Sequence, residues 1–436
     1  MKADGRKVGI TNQSLSKRIT ANFVWSILSE ATAKGVFFVT NIYLARSLGV
    51  SGFGVFALAQ TITYYFWFAV NLGVDMYGIR EIARNRTDSS RIINPLFTLR
   101  VTSGAVFFLI YAASVALVDM PPEHRVAFIG CGFYLFTQSL YSDWVFKGIE
   151  KFKYIAYGSF ASSGIFLIAV FFLVRGENDL GRAAFAWSAA GLFGSIILLY
   201  ILPGKTGITI KPDFNFRVWS SHIRESIYLS ISSALLTVYR YLSVLLISFF
   251  FTPFEVGIFM APYRAILAVG TAGVMLPMAF YPALSEMYIR DRMGFRKTQT
   301  NLHWIMCAMG IPFAGVGMFF GEEIVLALFG SSYEASVLAF RLLVWLIPLF
   351  FLRHSYGFVL IAAGHQRLHN IAVLAGVVCM AVTGIILIPM YSVIGGALAL
   401  LFSELSILVA IVIFVIKRVW KGSQESFATN EASDTE

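Results

Sequence analysis

The stretch Ile227–Phe251 reads IYLSISSALLTVYRYLSVLLISFFF and has the length and apolar character of one membrane-crossing helix, because about 20 apolar residues span a bilayer. Arg240 lies in its middle, between Tyr239 and Tyr241. An arginine at bilayer depth costs about 2.5–3.5 kcal/mol on insertion scales, so a carboxylate or a water-filled cavity must stabilise it. The stretch therefore predicts either a buried ion pair or a cationic site for an anion inside the membrane.

The rest of the chain has the same apolar character. Its 436 residues are 58% hydrophobic, with a mean hydropathy of +0.73. Charged residues make up 13%, about half the share in soluble domains. This composition predicts a polytopic membrane protein, and the net charge of +10 is then explained by membrane topology and not by nucleic-acid binding.

Length and hydropathy predict about twelve membrane spans in an all-α protein. We place them near residues 21–45, 54–79, 96–118, 126–146, 154–174, 183–203, 227–251, 257–284, 299–320, 338–363, 371–391 and 394–416. The connections between them are too short to hold a soluble domain.

Lysines and arginines are unequally distributed between the two sides of these spans. About 24 of them lie in the termini and in the connections of one side, which we call the basic end. The opposite side, the far end, has only Arg46, Arg125, Arg175 and Arg182. Because basic loops stay in the cytoplasm, both termini are predicted to be cytoplasmic.

Three short sequence pairs recur in the same order in the two halves of the chain. The pairs are residues 54–57 with 257–260, Glu81 and Arg84 with Glu286 and Arg290, and 148–153 with 364–369. Parallel repeats of this kind are found in transporters whose substrate site lies between two lobes. We therefore predict two six-helix lobes of the same topology.

The predicted domain organisation follows from the spans and the repeat. It comprises an N-terminal cytoplasmic segment 1–20, an N-lobe 21–203, a cytoplasmic connection 204–226, a C-lobe 227–416 and a polar cytoplasmic tail 417–436.

Sequence motifs of enzymes and metal sites are not found. HExxH and GxSxG do not occur, and residues 204–206 (GKT) do not end a phosphate-binding loop because Leu199 stands where glycine is required. The three cysteines, Cys131, Cys307 and Cys379, lie in apolar segments without a CxxC spacing. We therefore expect no catalytic residue, no metal and no cofactor.

Charged residues inside the spans are the informative set. Three arginines lie deep, Arg240, Arg264 and Arg353, against two deep acids, Asp75 and Glu404. If these residues formed only ion pairs, the arginines and the acids would be about equal in number. The excess of arginines therefore predicts a cationic cavity. Phosphate or pyrophosphate is the anion that such guanidinium groups would bind best.

Two further pairs of charged residues can be explained as ion pairs, without a role in substrate binding. Glu30 and Lys34 are four residues apart on the first span and can pair with each other, although we also include Lys34 with the three arginines in the predicted substrate-binding set. Arg100 and Asp143 both lie near the basic end, where we expect them to form a bridge.

The chain also resembles a known family. Residues 45–56, ARSLGVSGFGVF, resemble the ARxLGxxxFGxF stretch of bacterial polysaccharide flippases, the Wzx-type branch of the MOP superfamily. Further agreement comes from Asn22, Trp25, Gly73, Asp75, Gly78, residues 80–84 (REIAR), Phe329, Gly330, Tyr333 and Ala335. The resemblance extends over nearly the whole chain.

The resemblance implies a V-shaped, two-lobed fold of twelve helices in the bacterial inner membrane. It implies translocation of undecaprenyl-pyrophosphate-linked oligosaccharide repeat units from the cytoplasmic to the periplasmic leaflet. A proton or sodium counter-ion, carried by Asp75 or Glu404, and contact with the polysaccharide polymerase machinery are further expectations.

Two alternatives stay open at the level of sequence. A MATE-like multidrug exporter would share the fold, but its cavity should favour acids that bind cations. A polytopic polysaccharide polymerase or ligase usually has a sizeable periplasmic loop with catalytic residues, whereas the longest far-end connection here, residues 321–337, is largely apolar.

Overall fold

The computed structural model describes residues 12–71, 73–85 and 89–420. Of the predicted terminal segments, residues 1–11 and 421–436 lie outside the described residues. Helix α1 (Asn12–Asn71) contains the first two crossings and bends at Gly49, whose φ of 66° glycine adopts readily. Helix α2 (Val74–Arg84) follows and completes the second predicted span.

The remaining helices of the N-lobe cross the membrane four more times. They are α3 (Ser90–Leu117), α4 (Pro122–Gly132), α5 (Tyr134–Ser139), α6 (Asp143–Gly148), α7 (Phe152–Leu173) and α8 (Leu180–Thr206). The fourth predicted span, 126–146, is therefore not one helix. It is divided among α4, α5 and α6, and residues 140–142 between the last two leave the helical conformation.

The C-lobe follows after residues 207–215, which are not helical. Its helices are α9 (Phe216–Phe250), α10 (Pro253–Arg290), α11 (Arg292–Phe319), α12 (Gly321–Phe329), α13 (Val337–Leu343), α14 (Leu346–Ala362) and α15 (Gln366–Phe414), with a 3-10 turn at Ser331–Ser336 and a π-helical end at Val415–Trp420. Helix α15 contains two crossings and bends at Ser392, which has a φ of 50°.

Helix length confirms the predicted class of fold. In the described part of the chain, eight helical stretches are long and apolar enough to cross a membrane. Two of them, Ser29–Asn71 and Gln366–Trp420, have 43 and 55 residues, enough for two crossings each at about 20 residues per crossing. The shorter apolar Leu235–Phe250 and the broken fourth span complete about twelve crossings in two lobes.

The lobes meet closely at two equivalent glycines. A Cβ on Gly54 would lie 1.8 Å from the carbonyl oxygen of Pro253, and a Cβ on Gly257 would lie 2.0 Å from that of Val50. Any side chain at either position would therefore clash with backbone. Both glycines belong to the first sequence pair of the internal repeat, so the lobes contact each other through matching positions.

Hydrogen bonds also join the two lobes at the far end of this interface. The Arg46 guanidinium donates to the carbonyls of Ala327 and Leu328 at the end of α12, the latter at 2.8 Å. The Tyr333 hydroxyl donates to the carbonyl of Ala45 at 3.1 Å. We call these contacts of Arg46 and Tyr333 the interlobe latch. They tie the bend of α1 to the C-lobe and stabilise closure of the far end.

Candidate functional site

Three adjoining chambers lie between and beside the lobes, and Lys34 lines all of them. The C-lobe chamber has a volume of about 320 Å³ and is lined by Tyr239, Arg240, Arg353, His354 and His369, among others. The central chamber of about 300 Å³ is lined by Asn41, Gln60, Tyr64, Arg240, Tyr241 and Arg264, among others. The N-lobe chamber of about 330 Å³ is lined by α1, α5, α7, α8 and Tyr141. Each is at the small end of the usual range for ligand pockets.

Arg240 is exposed in this cavity and lines both the C-lobe and the central chambers. Its side chain hydrogen-bonds to Tyr241, and its backbone carbonyl accepts a hydrogen bond of 3.3 Å from the Tyr263 hydroxyl. Among the side chains that the structure describes, no carboxylate pairs with it: Asp75 and Glu404 are both bound by other arginines. The charge of Arg240 is therefore uncompensated.

The charge of Arg264 is also uncompensated, although its guanidinium forms two hydrogen bonds. Its guanidinium donates to the side-chain oxygens of Asn41 and Gln60, the latter at 2.6 Å. It lies 5.0 Å and 5.9 Å from the ring centroids of Phe53 and Phe56. All four partners are neutral, so hydrogen bonds and cation–π contacts stabilise the arginine without cancelling its charge. The bonds also join α10 of the C-lobe to α1.

Arg353 forms the buried ion pair that the sequence left open for Arg240. Its Nε donates to Glu404, whose other carboxylate oxygen accepts from the Tyr239 hydroxyl. Arg353 is 7% exposed and Glu404 is fully buried. A second guanidinium nitrogen lies 3.3 Å from Nε2 of His354. Arg353 thus reaches the wall of the C-lobe chamber, but its charge is already balanced.

Lys34 and Glu30 form the expected pair, with 3.7 Å between Nζ and Oε2. Their side chains are 48% and 63% exposed, and exposed pairs of this kind contribute about 0–1 kcal/mol. An anion can therefore compete for Lys34 at little cost. The position of Lys34 in all three chambers places its charge where they join.

The expected bridge between Arg100 and Asp143 is wrong. Arg100 is 1% exposed and donates to Asp75 at 2.5 Å and to the carbonyl of Gln138 at 3.1 Å. Asp143 instead pairs with Lys147 at 2.5 Å. Because α5 ends at Ser139, the carbonyl of Gln138 does not accept the regular helical hydrogen bond and is available to Arg100.

Sequence analysis did not predict several of the residues that line the chambers. They include Tyr134, Gln138, Tyr141, Ser159, His354 and His369. A usable signal was present in residues 134–143, YLFTQSLYSD, whose polar side chains interrupt an apolar span. In the described residues, no group of three or more His, Cys, Asp and Glu side chains could hold a metal ion.

Comparison with known proteins identifies the family. The model of the family described as "Polysaccharide biosynthesis protein" matches residues 19–288, more than half of the chain, and the chain belongs to this family. A relative from Escherichia coli K12, described as "Putative O-antigen transporter", is 25% identical over 389 residues, which cover 86% of this chain and 91% of that protein.

Solved structures share the fold. An inward-facing multidrug resistance MATE family transporter of the MOP superfamily matches with a TM-score of 0.70 and 13% identity, covering 92% of this chain and 96% of that one. The lipid II flippase MurJ, in an inward closed conformation, matches with a TM-score of 0.61 and 12% identity, covering 90% and 87%. The protein therefore has the fold of these two multi-pass membrane proteins.

Proposed function

We propose that this protein translocates undecaprenyl-pyrophosphate-linked oligosaccharide repeat units across the bacterial inner membrane, from the cytoplasmic to the periplasmic leaflet. The observation that carries the proposal is Arg240, an uncompensated arginine exposed in a cavity between membrane helices. Membership of a polysaccharide biosynthesis family and similarity to the Escherichia coli protein described as an O-antigen transporter support the saccharide part of the cargo.

The pyrophosphate would bind to Arg240, Arg264 and Lys34. A guanidinium group grips two phosphate oxygens at once, and a charge-assisted hydrogen bond is about twice as strong as a neutral one. Lys34 adds a third positive charge, and its pair with Glu30 is exposed and therefore weak. The cavity thus supplies positive charge from both lobes to one doubly charged group.

Arg353 would join this set only when Glu404 is neutral. A proton on Glu404 would remove the partner of Arg353 and turn its guanidinium toward the C-lobe chamber. Asp75 is held by Arg100 in a similar pair. We therefore retain both acids as proposed carriers of a coupling proton or sodium ion, acting through the arginines they bind.

The membrane potential favours the proposed direction. A pyrophosphate carries about two negative charges, and each gains about 2.3 kcal/mol per 100 mV when it moves outward from a negative interior. The basic end would face the cytoplasm. Export of cations, as expected of the alternative drug exporter, is opposed by the same uncompensated arginines, since like charges repel most strongly in a low-dielectric cavity.

Substitution of Arg240 tests the proposal. In a strain that lacks the native gene, Arg240→Ala should abolish surface polysaccharide while membrane abundance stays at the wild-type level. Arg240→Lys should retain part of the activity, because lysine keeps the charge but loses the planar fork. Arg367→Ala, at an exposed arginine of the basic end, is the control and should act as wild type. Normal polysaccharide with Arg240→Ala would overturn the proposal.

A further inference from the structure

The N-lobe chamber differs in chemistry from the two chambers that contain arginines. Apart from the shared Lys34, its lining has no charged side chain. Its other polar groups are the indole N–H of Trp187, hydroxyls and one amide. The hydroxyls and the amide come from Tyr64, Tyr134, Gln138, Tyr141, Ser159 and Ser163, among others. A cavity of this composition offers hydrogen bonds to neutral groups and little attraction to a second anion.

The wall of this chamber is built at the break in the fourth span. Residues 140–142 leave the helix between α5 and α6, and the amide of Tyr141 donates to the carbonyl of Gln138 at 3.1 Å. Arg100 donates to the same carbonyl. Non-helical backbone at membrane depth is tolerated where it is buried in protein or lines a cavity, and interrupted helices in transporters mark binding sites.

Polar groups in this wall are left without partners. In the described part of the chain, the hydroxyls of Tyr64 and Tyr134 and the side-chain amide of Gln138 form no hydrogen bond, and none of these atoms is shut away from the cavity. The Tyr141 hydroxyl has one neighbour, the Ser159 hydroxyl at 3.2 Å. Unpartnered polar groups at membrane depth are costly unless water or a ligand bonds to them.

Aromatic packing holds the tyrosines in place. The ring of Tyr134 is stacked on Trp187 at 4.2 Å between centroids and 5° between planes. Tyr64 meets the same Trp187 edge-on at 5.7 Å and stacks on Tyr241 at 5.0 Å. Rings fixed by their neighbours lose little freedom when a ligand binds, so their hydroxyls are preorganised.

From these observations we propose that the N-lobe chamber binds the saccharide part of the cargo, through uncharged hydrogen bonds to sugar hydroxyls. The pyrophosphate would lie beside it on Lys34 and Arg240, and Lys34 marks the junction because it lines both chambers. This assignment rests on the proposed function. It predicts that Gln138, Tyr134 and Tyr141 distinguish the lipid pyrophosphate that carries sugars from the same lipid without sugars, the bare lipid.

Binding to two lipids tests the assignment. The full chain in nanodiscs is titrated with undecaprenyl pyrophosphate and with the undecaprenyl-pyrophosphate-linked oligosaccharide isolated from producing cells that lack their polymerase. Gln138→Leu, Tyr134→Phe and Tyr141→Phe should each weaken binding of the sugar-bearing lipid about threefold to tenfold, as expected for one lost hydrogen bond. Binding of the bare lipid should be unchanged. Tyr134→Phe keeps the stack on Trp187, so folding is not at issue.

Two controls separate this assignment from the proposed function. Tyr157→Phe removes a tyrosine hydroxyl from the exposed side of α7, outside the chamber, and should change neither affinity. Arg240→Ala should weaken binding of both lipids. If the three N-lobe variants weaken both lipids equally, or neither, the saccharide assignment is overturned while the proposed function stands. If the wild-type protein binds neither lipid, both are overturned.

Discussion

Arginines at membrane depth occur here in two electrostatic states. Arg240 and Arg264 have neutral partners, whereas Arg100 and Arg353 are buried against Asp75 and Glu404. Only the first state leaves a field that an anion inside the membrane can use. A count of deep charges predicts the positive excess, but it does not tell which arginines carry it.

The buried pair of Arg353 and Glu404 gives a test at this scale. Arg353→Ala would leave a fully buried carboxylate without its counter-charge, which destabilises by about 3–5 kcal/mol. We expect low membrane abundance in immunoblots and restoration of abundance in Arg353→Ala/Glu404→Gln. Arg240→Ala, which leaves no buried carboxylate without a counter-charge, serves as the comparison. Wild-type abundance of the single Arg353 variant would show that the pair is not structural.

At the scale of helices, closure of the far end depends on how closely α1 and α10 approach. Gly257→Ala places a methyl group 2.0 Å from a backbone carbonyl, and overpacking of this kind typically costs about 1–3 kcal/mol. Thermal unfolding in detergent should detect the loss. Gly315→Ala, where nothing lies within 4 Å of the new Cβ, is the matched control. Equal melting of the two variants would contradict the close crossing.

The interlobe latch gives a second test of the same closure. Arg46→Ala removes hydrogen bonds between α1 and α12 and should favour opening at the far end. A cysteine at buried Thr61, which lines the central chamber, should then react several times faster with an impermeant thiol reagent added to the far side. The experiment uses a background without native cysteines.

Arg125→Ala is the control for this experiment. Arg125 is another far-end arginine, on α4, but its guanidinium donates to the carbonyl of Val118 in the same lobe. Labelling of the Thr61 cysteine should stay at the wild-type rate in that variant. A rate unaffected by Arg46→Ala would show that the latch does not limit opening.

The whole molecule has a proposed direction, which depends on its orientation. A cysteine at Asn178, in the far-end connection before α8, should react with impermeant reagent added outside intact spheroplasts. A cysteine at Arg367, at the basic end, should react only after lysis. The expectation follows from the positive-inside rule. The opposite pattern would place the basic end outside and remove the electrostatic argument for export.

Much of the whole-molecule architecture follows from local sequence. Span length, apolar composition and loop charge predict about twelve crossings in two lobes, since crossing a bilayer needs only a long apolar helix. The repeat of residues 54–57 at 257–260 predicts that the lobes match. The broken fourth span was not predicted, because its apolar residues satisfy the same length criterion as an unbroken helix.

The arrangement of the site was decided by tertiary structure alone. Arg240, Arg264 and Arg353 are equally deep by sequence, and only packing separates the two free charges from the paired one. Gln138 and Tyr64 line the same N-lobe chamber only because α5 packs beside α1. Hydropathy depends on what each residue is, so the sequence by itself determined the membrane fold. Ion pairing and chamber lining depend on which helix faces turn toward each other, which the rotation and contact of distant helices decide.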